Sequence, residues 1–444
     1  MYSWRKSVST GSFALRGLVA LTCILLSPDH AGGPVSLAAV SGDGTLVRYE
    51  PLSDGCVMPA GPPAVQSRST SPTANAPQMV SSPARTIKDP YPSFAAVAID
   101  AERGEVAFTD ESLFQVLVYD RLDNTPAGAE ASTPKRVLAG KRTNIEFQSG
   151  LYVDKATGEL YAVNTDTRDT TLVFAAGAQG NVKPSRSIKT PHGTFGIAVA
   201  EVHGEALLTI QHDAAIVTYK KGAVETDSPI RLLQGERTGL ADPHGIAYDS
   251  RDDVIFVANF GSRSANAVRS KGPQSRPNWP LERPASVPGS GTIRPPSISV
   301  HRRTATGDEA PLRVIEGPST QLNWPTGVAL DPQRRELFVT NDATHSVLVF
   351  DAAASGNIAP KRVLRGAKTG LANPTGVALD IKNREMWIAN FGGHSATVYD
   401  LAASGDTRPL RTIRNGPSSA PSLMIGNPGA VAYDKKREEI LVPN

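Results

Sequence analysis

Five of the eight histidines in this 444-residue chain, His192, His212, His244, His345 and His394, stand in polar loops between short apolar runs. Neutral imidazole is the commonest nitrogen ligand for a metal, so such a set raises the question of a zinc-type centre. Oxygen donors accompany them. Asn259, Asn341 and Asn390 each close an apolar run, Thr326 and Thr375 each open one, and Asp110, Asp213 and Asp342 lie in loops. Hard cations need several oxygens converging on one point. Asx side chains that recur at equal spacing have a simpler use, accepting hydrogen bonds from backbone N–H groups in turns. The chain has no Ser-His-Asp spacing, no glycine-rich phosphate loop and no cysteine-based centre, so no catalytic residue is assigned.

The elements that must position these residues are repeats. The stretch TGVALDPQRRELFVTNDATHSVLVFDAAASGNIAPKRVLRG around Gly327 recurs around Gly376 as TGVALDIKNREMWIANFGGHSATVYDLAASGDTRPLRTIRNG. Anchored on the residue that ends the first apolar run, copies fall at Asp100, Asp154, Ala200, Asp249, Asp331, Asp380 and Asp434, with steps of 46 to 54 residues and one of 82. Each copy holds four runs rich in Val, Ile, Leu, Phe and Tyr at strand spacing, which predicts a four-stranded antiparallel blade. The copy at Asp434 supplies only two strands before the chain ends at Asn444. Near the amino end, 42–51 and 84–89 resemble third and fourth strands. The expectation is an all-β, seven-bladed β-propeller whose closing blade is shared between the N- and C-terminal segments, a splice that leaves no sheet edge unpaired.

These copies resemble NHL-type and YVTN-type propeller repeats: GVALD and HGIAYD are similar to the first strand of NHL units, LFVTNDATHSVLVFD to the YVTN consensus. The resemblance covers roughly 84–444 plus 42–51. It implies the fold and leaves function open, since the scaffold serves binding proteins, lyases and lactonases. The tripeptides at Pro191–Gly193 and Pro243–Gly245 resemble the histidine-bearing turns of zinc-dependent peptidylamidoglycolate lyases. Gluconolactonase-type propellers hold a divalent cation with Glu, Asn and Asp around the channel. Counting five residues back from each anchor, the mouth of the ring is lined by Ala95, Ser149, Phe195, His244, Thr326, Thr375 and Gly429, with one imidazole and no carboxylate.

The favoured reading is therefore a binding module for a protein or small-molecule ligand at the mouth face, with His244, Thr326, Thr375, Asn259, Asn341, Asn390, His345 and His394 as its candidates. A metal-dependent lactonase or lyase is the alternative; no cofactor is required, and a divalent cation fits only that alternative. Arg85, Arg136, Arg186, Arg231, Arg313, Arg362 and Arg411 each open a fourth strand, where a charge on an outer edge discourages further pairing. The fourth copy carries an insertion at about 262–296 with six basic residues and one acid, and its Trp279 is a further ligand-stacking candidate.

The net charge of +3 is spread through the turns, so no nucleic-acid partner is expected. Residues 1–31 have the order of a secretory signal: basic, then GLVALTCILL, then small residues. That predicts a secreted, periplasmic or cell-surface protein, with membrane attachment only if the signal stays uncleaved. Residues 32–92 would hold the amino-terminal strands of the closing blade, with a flexible Pro/Ser-rich loop at 51–83, and 93–444 the propeller.

Overall fold

The computed structural model describes residues 91–165, 168–263 and 292–418, together with the backbone of five short strands nearer the termini. The chain divides into two compact units, residues 87–424 and residues 1–86 with 425–444. The first is a propeller of six blades, each a four-stranded antiparallel sheet in simple up-and-down order. Blade 1 runs Phe94–Asp100, Glu105–Asp110, Gln115–Asp120 and Arg136–Ala139; blade 2 runs Gln148–Val153, Leu160–Asn164, Thr170–Phe174 and Arg186–Lys189. Blade 3 comprises Thr194–Ala200, Glu205–Ile210, Ala215–Lys220 and Arg231–Gln234, and blade 4 Pro243–Asp249, Val254–Asn259, Ser297–Arg302 and Arg313–Glu316. Blade 5 is formed by Pro325–Asp331, Glu336–Asn341, Ser346–Asp351 and Arg362–Leu364, blade 6 by Pro374–Asp380, Glu385–Asn390, Ser395–Asp400 and Arg411–Arg414.

The expected seventh blade does not form, because blade 6 packs directly on blade 1. Phe94, Phe108 and Tyr119 of blade 1 share one core with Trp387, Val398 and Ile413 of blade 6. Thr375 Oγ1 donates to the Ala95 carbonyl at 2.6 Å. The loop between the third and fourth strands of blade 1 bridges the last strand of blade 6, pairing Ala131 with Asn415. In five successive cases that loop instead bridges the fourth strand of the blade before it, as at Leu138 with Gly180 and Leu364 with Gly405. Cations after the third strand obey the same rule: Lys221 reaches Asp154 of blade 2, Arg303 reaches Glu205 of blade 3, and Arg121 reaches Glu385 of blade 6. A closed ring leaves no seam into which another sheet could be spliced.

The segments assigned to the seventh blade pair otherwise. Leu46–Leu52 lies between Ser3–Lys6 and Leu37–Val40 in a three-stranded sheet, while Ala432–Asp434 and Glu439–Leu441 make a separate hairpin. Residues 51 and 52 of the loop expected at 51–83 belong to the strand Leu46–Leu52; the rest of that loop, Arg85, Gly429, most of the signal segment and most of the insertion (264–291, with Trp279) lie outside the described residues.

Glycine sets how closely the blades approach on the axis. A Cβ on Gly150 would stand 2.5 Å from the Phe195 carbonyl and one on Gly327 2.6 Å from that of Thr375. Those contacts are to backbone, which cannot step aside. The repeating arginines are ion-paired inside their blades: Arg136, Arg186, Arg231, Arg362 and Arg411 meet Glu105, Glu159, Glu205, Glu336 and Glu385. Their role is internal pairing between second and fourth strands, in place of the edge protection expected of them.

Candidate functional site

The recurring Asp residues that end first strands form Asx turns. Asp154 Oδ1 accepts from the N–H groups of Ala156 and Thr157, and Asp331 Oδ1 from those of Gln333 and Arg334. The Asx residues after second strands tie two mouth-face loops together. Asn164, Asn259, Asn341 and Asn390 each accept, through Oδ1, the N–H of the residue 18 positions earlier, at 3.0, 3.1, 2.6 and 3.2 Å. All four are buried. Blade 1 does the same with a carboxylate: Asp110 Oδ1 accepts from Ser93, Ser112 and Leu113 and Oδ2 from Gln115. Burial raises the Asp110 pKa to about 6, with the four hydrogen bonds pulling the other way.

Thr326 and Thr375 lie on the axis. With Ser149, Phe195, Ala95 and the inner glycines they line a central cavity of about 80 Å³. Ligand pockets are roughly 300–1,000 Å³, so this one holds a few waters and no organic ligand. Its hydroxyls are also engaged by backbone: Ser149 Oγ donates to the Phe195 carbonyl at 3.0 Å, Thr375 Oγ1 to the Ala95 carbonyl at 2.6 Å and Thr326 Oγ1 to the Trp324 carbonyl at 3.3 Å.

The histidines do not converge. His345 and His394 occupy left-handed positions before the third strands of blades 5 and 6, with φ of 48° and 43°. His345 Nδ1 accepts from Asn373 N at 2.9 Å, and buried His394 donates from Nδ1 to the Pro92 carbonyl at 2.9 Å. His192 contacts Asp169 at 3.0 Å and stacks on His212 at 5.5 Å. Buried His244 donates from Nδ1 to the Asp242 carbonyl at 2.9 Å and accepts at Nε2 from Gln211 at 2.6 Å. Burial lowers its pKa to about 4, against the pull of Asp242, so the ring is neutral at neutral pH. Among the described residues no three His, Cys, Asp or Glu side chains are grouped to hold a metal. The donor set around the mouth does not fit the divalent cation of gluconolactonase-type propellers.

What the mouth presents is aromatic. Phe195 meets His244 edge-on at 4.3 Å, His244 stacks on Phe260 at 3.5 Å and 13°, and Phe260 stacks on Trp324 at 5.6 Å and 16°. The row ends in solvent, with Trp324 half exposed. Trp324 also has φ 54°, whereas the matching positions of blades 3, 4 and 6 hold Gly193, Asp242 and Asn373, residues suited to that left-handed turn. Its carbonyl accepts from Asp342 N at 3.0 Å, which holds the turn in place. A left-handed conformation costs a bulky residue roughly 1–2 kcal/mol, while an aromatic pair contributes about 0.5–1.5 kcal/mol. The two terms offset each other, and burial of the covered half of the indole is what still favours Trp over Asn at this position. A second such case is Phe114 in blade 1, 39% exposed with φ 54°, edge-on to Phe147 at 5.2 Å.

Sequence reasoning placed Phe195 and His244 at the mouth and missed Phe260, Trp324 and Phe114. The signal for Trp324 was partial: its column holds Gly193, Asp242 and Asn373 in blades 3, 4 and 6, but Ser93 and Phe147 in blades 1 and 2. Phe260 and Phe114 left no comparable mark, because aromatic residues beside strands are ordinary core residues.

Fold and repeats together define a six-bladed β-propeller whose copies resemble NHL- and YVTN-type repeats, a scaffold used for binding modules and for lactonase-like enzymes. The family model for the SMP-30/gluconolactonase/LRE-like region matches residues 309–411, from the fourth strand of blade 4 through the third strand of blade 6. No curated protein sequence matches the chain. Among solved structures it is similar to Kuenenia stuttgartiensis hydrazine synthase, at 14% identity over 81% of this chain and 97% of that one, with a TM-score of 0.46. It is also similar to a chain of the nidogen/laminin complex, at 16% identity over 73% and 93% with a TM-score of 0.44. A protein from Desulfotomaculum acetoxidans is similar at 14% identity over 74% and 88%, with a TM-score of 0.47. No helix among the described residues is long and apolar enough to cross a membrane.

Proposed function

We propose that this propeller is a non-catalytic binding module acting outside the cytoplasm, and that it receives its ligand on the mouth face. The observation that carries this reading is Trp324, a half-exposed indole in a left-handed turn where blades 3, 4 and 6 place Gly, Asp or Asn. The basic and then apolar order of residues 1–31 supports the location. The test is affinity capture with the full chain and with a Phe114→Asn/Trp324→Asn double variant. Binding through this face means that the wild type enriches a ligand which the variant loses; equal recovery by both moves the function elsewhere.

A second reading, a metal-dependent lactonase, has the family match over 309–411 in its favour and the donor set of the mouth against it. Lactone hydrolysis stimulated by added Ca²⁺ or Zn²⁺, together with stoichiometric metal in the purified protein, would establish it.

A further inference from the structure

We infer that the lip between blades 4 and 5 is a carbohydrate subsite, on which Trp324 stacks the apolar face of a pyranose ring. This deepens the binding reading above and rests on it. Three features single out a sugar. First, the platform is flat and already backed on one side: Phe260 stacks against Trp324 at 5.6 Å and 16°, and His244 backs Phe260 in turn. A ligand therefore meets one aromatic surface, which suits the C–H face of a pyranose. Second, the groups around it are neutral hydrogen-bonders. Gln321 and Asn323 are exposed in the four-residue stretch that ends at the indole. Sugar hydroxyls take both donors and acceptors of this kind.

Third, the charges of the lip among the described residues are paired. Asp242 Oδ2 accepts from Ser262 Oγ at 2.9 Å, and Oδ1 lies 3.7 Å from His244 Nδ1, so the carboxylate is not placed to hold a cation over the ring. Arg294 lies 3.8 Å from Glu236, and its backbone N–H donates to the Gly261 carbonyl at 2.7 Å. A phosphate or nucleic-acid ligand would require free guanidinium groups here. A cationic ligand would require a free carboxylate beside the indole.

The experiment is a glycan array of hexose, N-acetylhexosamine and uronic-acid oligosaccharides probed with the full chain, followed by titration calorimetry with the best oligosaccharide on wild type, Trp324→Asn and Trp324→Phe. The expected result is at least tenfold weaker binding for Trp324→Asn and loss within about threefold for Trp324→Phe, with both variants keeping a cooperative melt. Binding that Trp324→Asn leaves unchanged overturns the inference, as does an array with no bound glycan. If the array is empty while the double variant still loses its captured ligand, the sugar assignment fails and the binding face stands; if neither shows a difference, both fail.

Discussion

Asp110 is the residue through which the physics of this ring can be measured most directly. Four of the other five blades place Asn at its position, namely Asn164, Asn259, Asn341 and Asn390, and use one side-chain oxygen to accept a loop N–H. Asp110 does that job with a buried charge, and its pKa rises from 3.8 to about 6. Because the folded-state value lies above the unfolded one, the folded protein takes up a proton first as pH falls. The group therefore costs stability above pH 6, and the cost disappears as pH drops through 6 toward 4. At ~1.4 kcal/mol per unit, a shift of about two units corresponds to about 3 kcal/mol at neutral pH. Asp110→Asn removes the charge and keeps the oxygen that accepts from Ser93; the Gln115 amide has only to turn over. Thermal melts of both proteins from pH 4 to pH 8 would follow the difference. The variant should match wild type near pH 4 and gain steadily to a plateau above pH 6.5, at a value reduced below 3 kcal/mol only by the reorientation of Gln115. A difference that stays flat with pH, or a variant less stable at pH 8, would refute the claim that burial of charge dominates at this site.

Two further outcomes are expected. A fragment spanning residues 87–424 should fold, show β-sheet circular dichroism and melt within a few degrees of the full chain, since the blade 6 to blade 1 seam is complete within it; a fragment that aggregates or lacks a cooperative melt would restore the case for a spliced blade. Glu336 is held at a pKa of about 2, chiefly by Arg362 and then Lys361. Its stabilisation is full above the unfolded value near 4.5 and is lost as pH falls through 2, so Glu336→Gln should cost about 2–3 kcal/mol at pH 7 and progressively less in acid, read from denaturant melts at matched pH.

Much of the site's framework was legible because turns use residue types that few other roles require. An Asn or Asp at the end of the second strand in five of the six blades announced a side chain that accepts backbone N–H groups; the pattern predicts a local turn, and the structure shows the four Asn accepting from a loop 18 residues earlier. The fates of the histidines were not legible. His244 and His345 look alike in sequence, yet one is buried between Gln211 and Asp242 and the other stands exposed in a left-handed turn.

By itself the chain determined the all-β class, the four-stranded repeat, the first strands as the inner ring and the residues at the mouth. These are local properties, set by strand alternation and turn chemistry within about 50 residues. The number of blades was decided only in three dimensions. A repeat at Asp434 counts in sequence whether or not it joins the ring, but closure depends on whether Trp387, Thr375 and Asn415 meet Phe108, Ala95 and Ala131. The aromatic lip is of the same kind, since Phe195, His244, Phe260 and Trp324 come from blades 3, 4 and 5 and adjoin only where neighbouring blades fan around the axis.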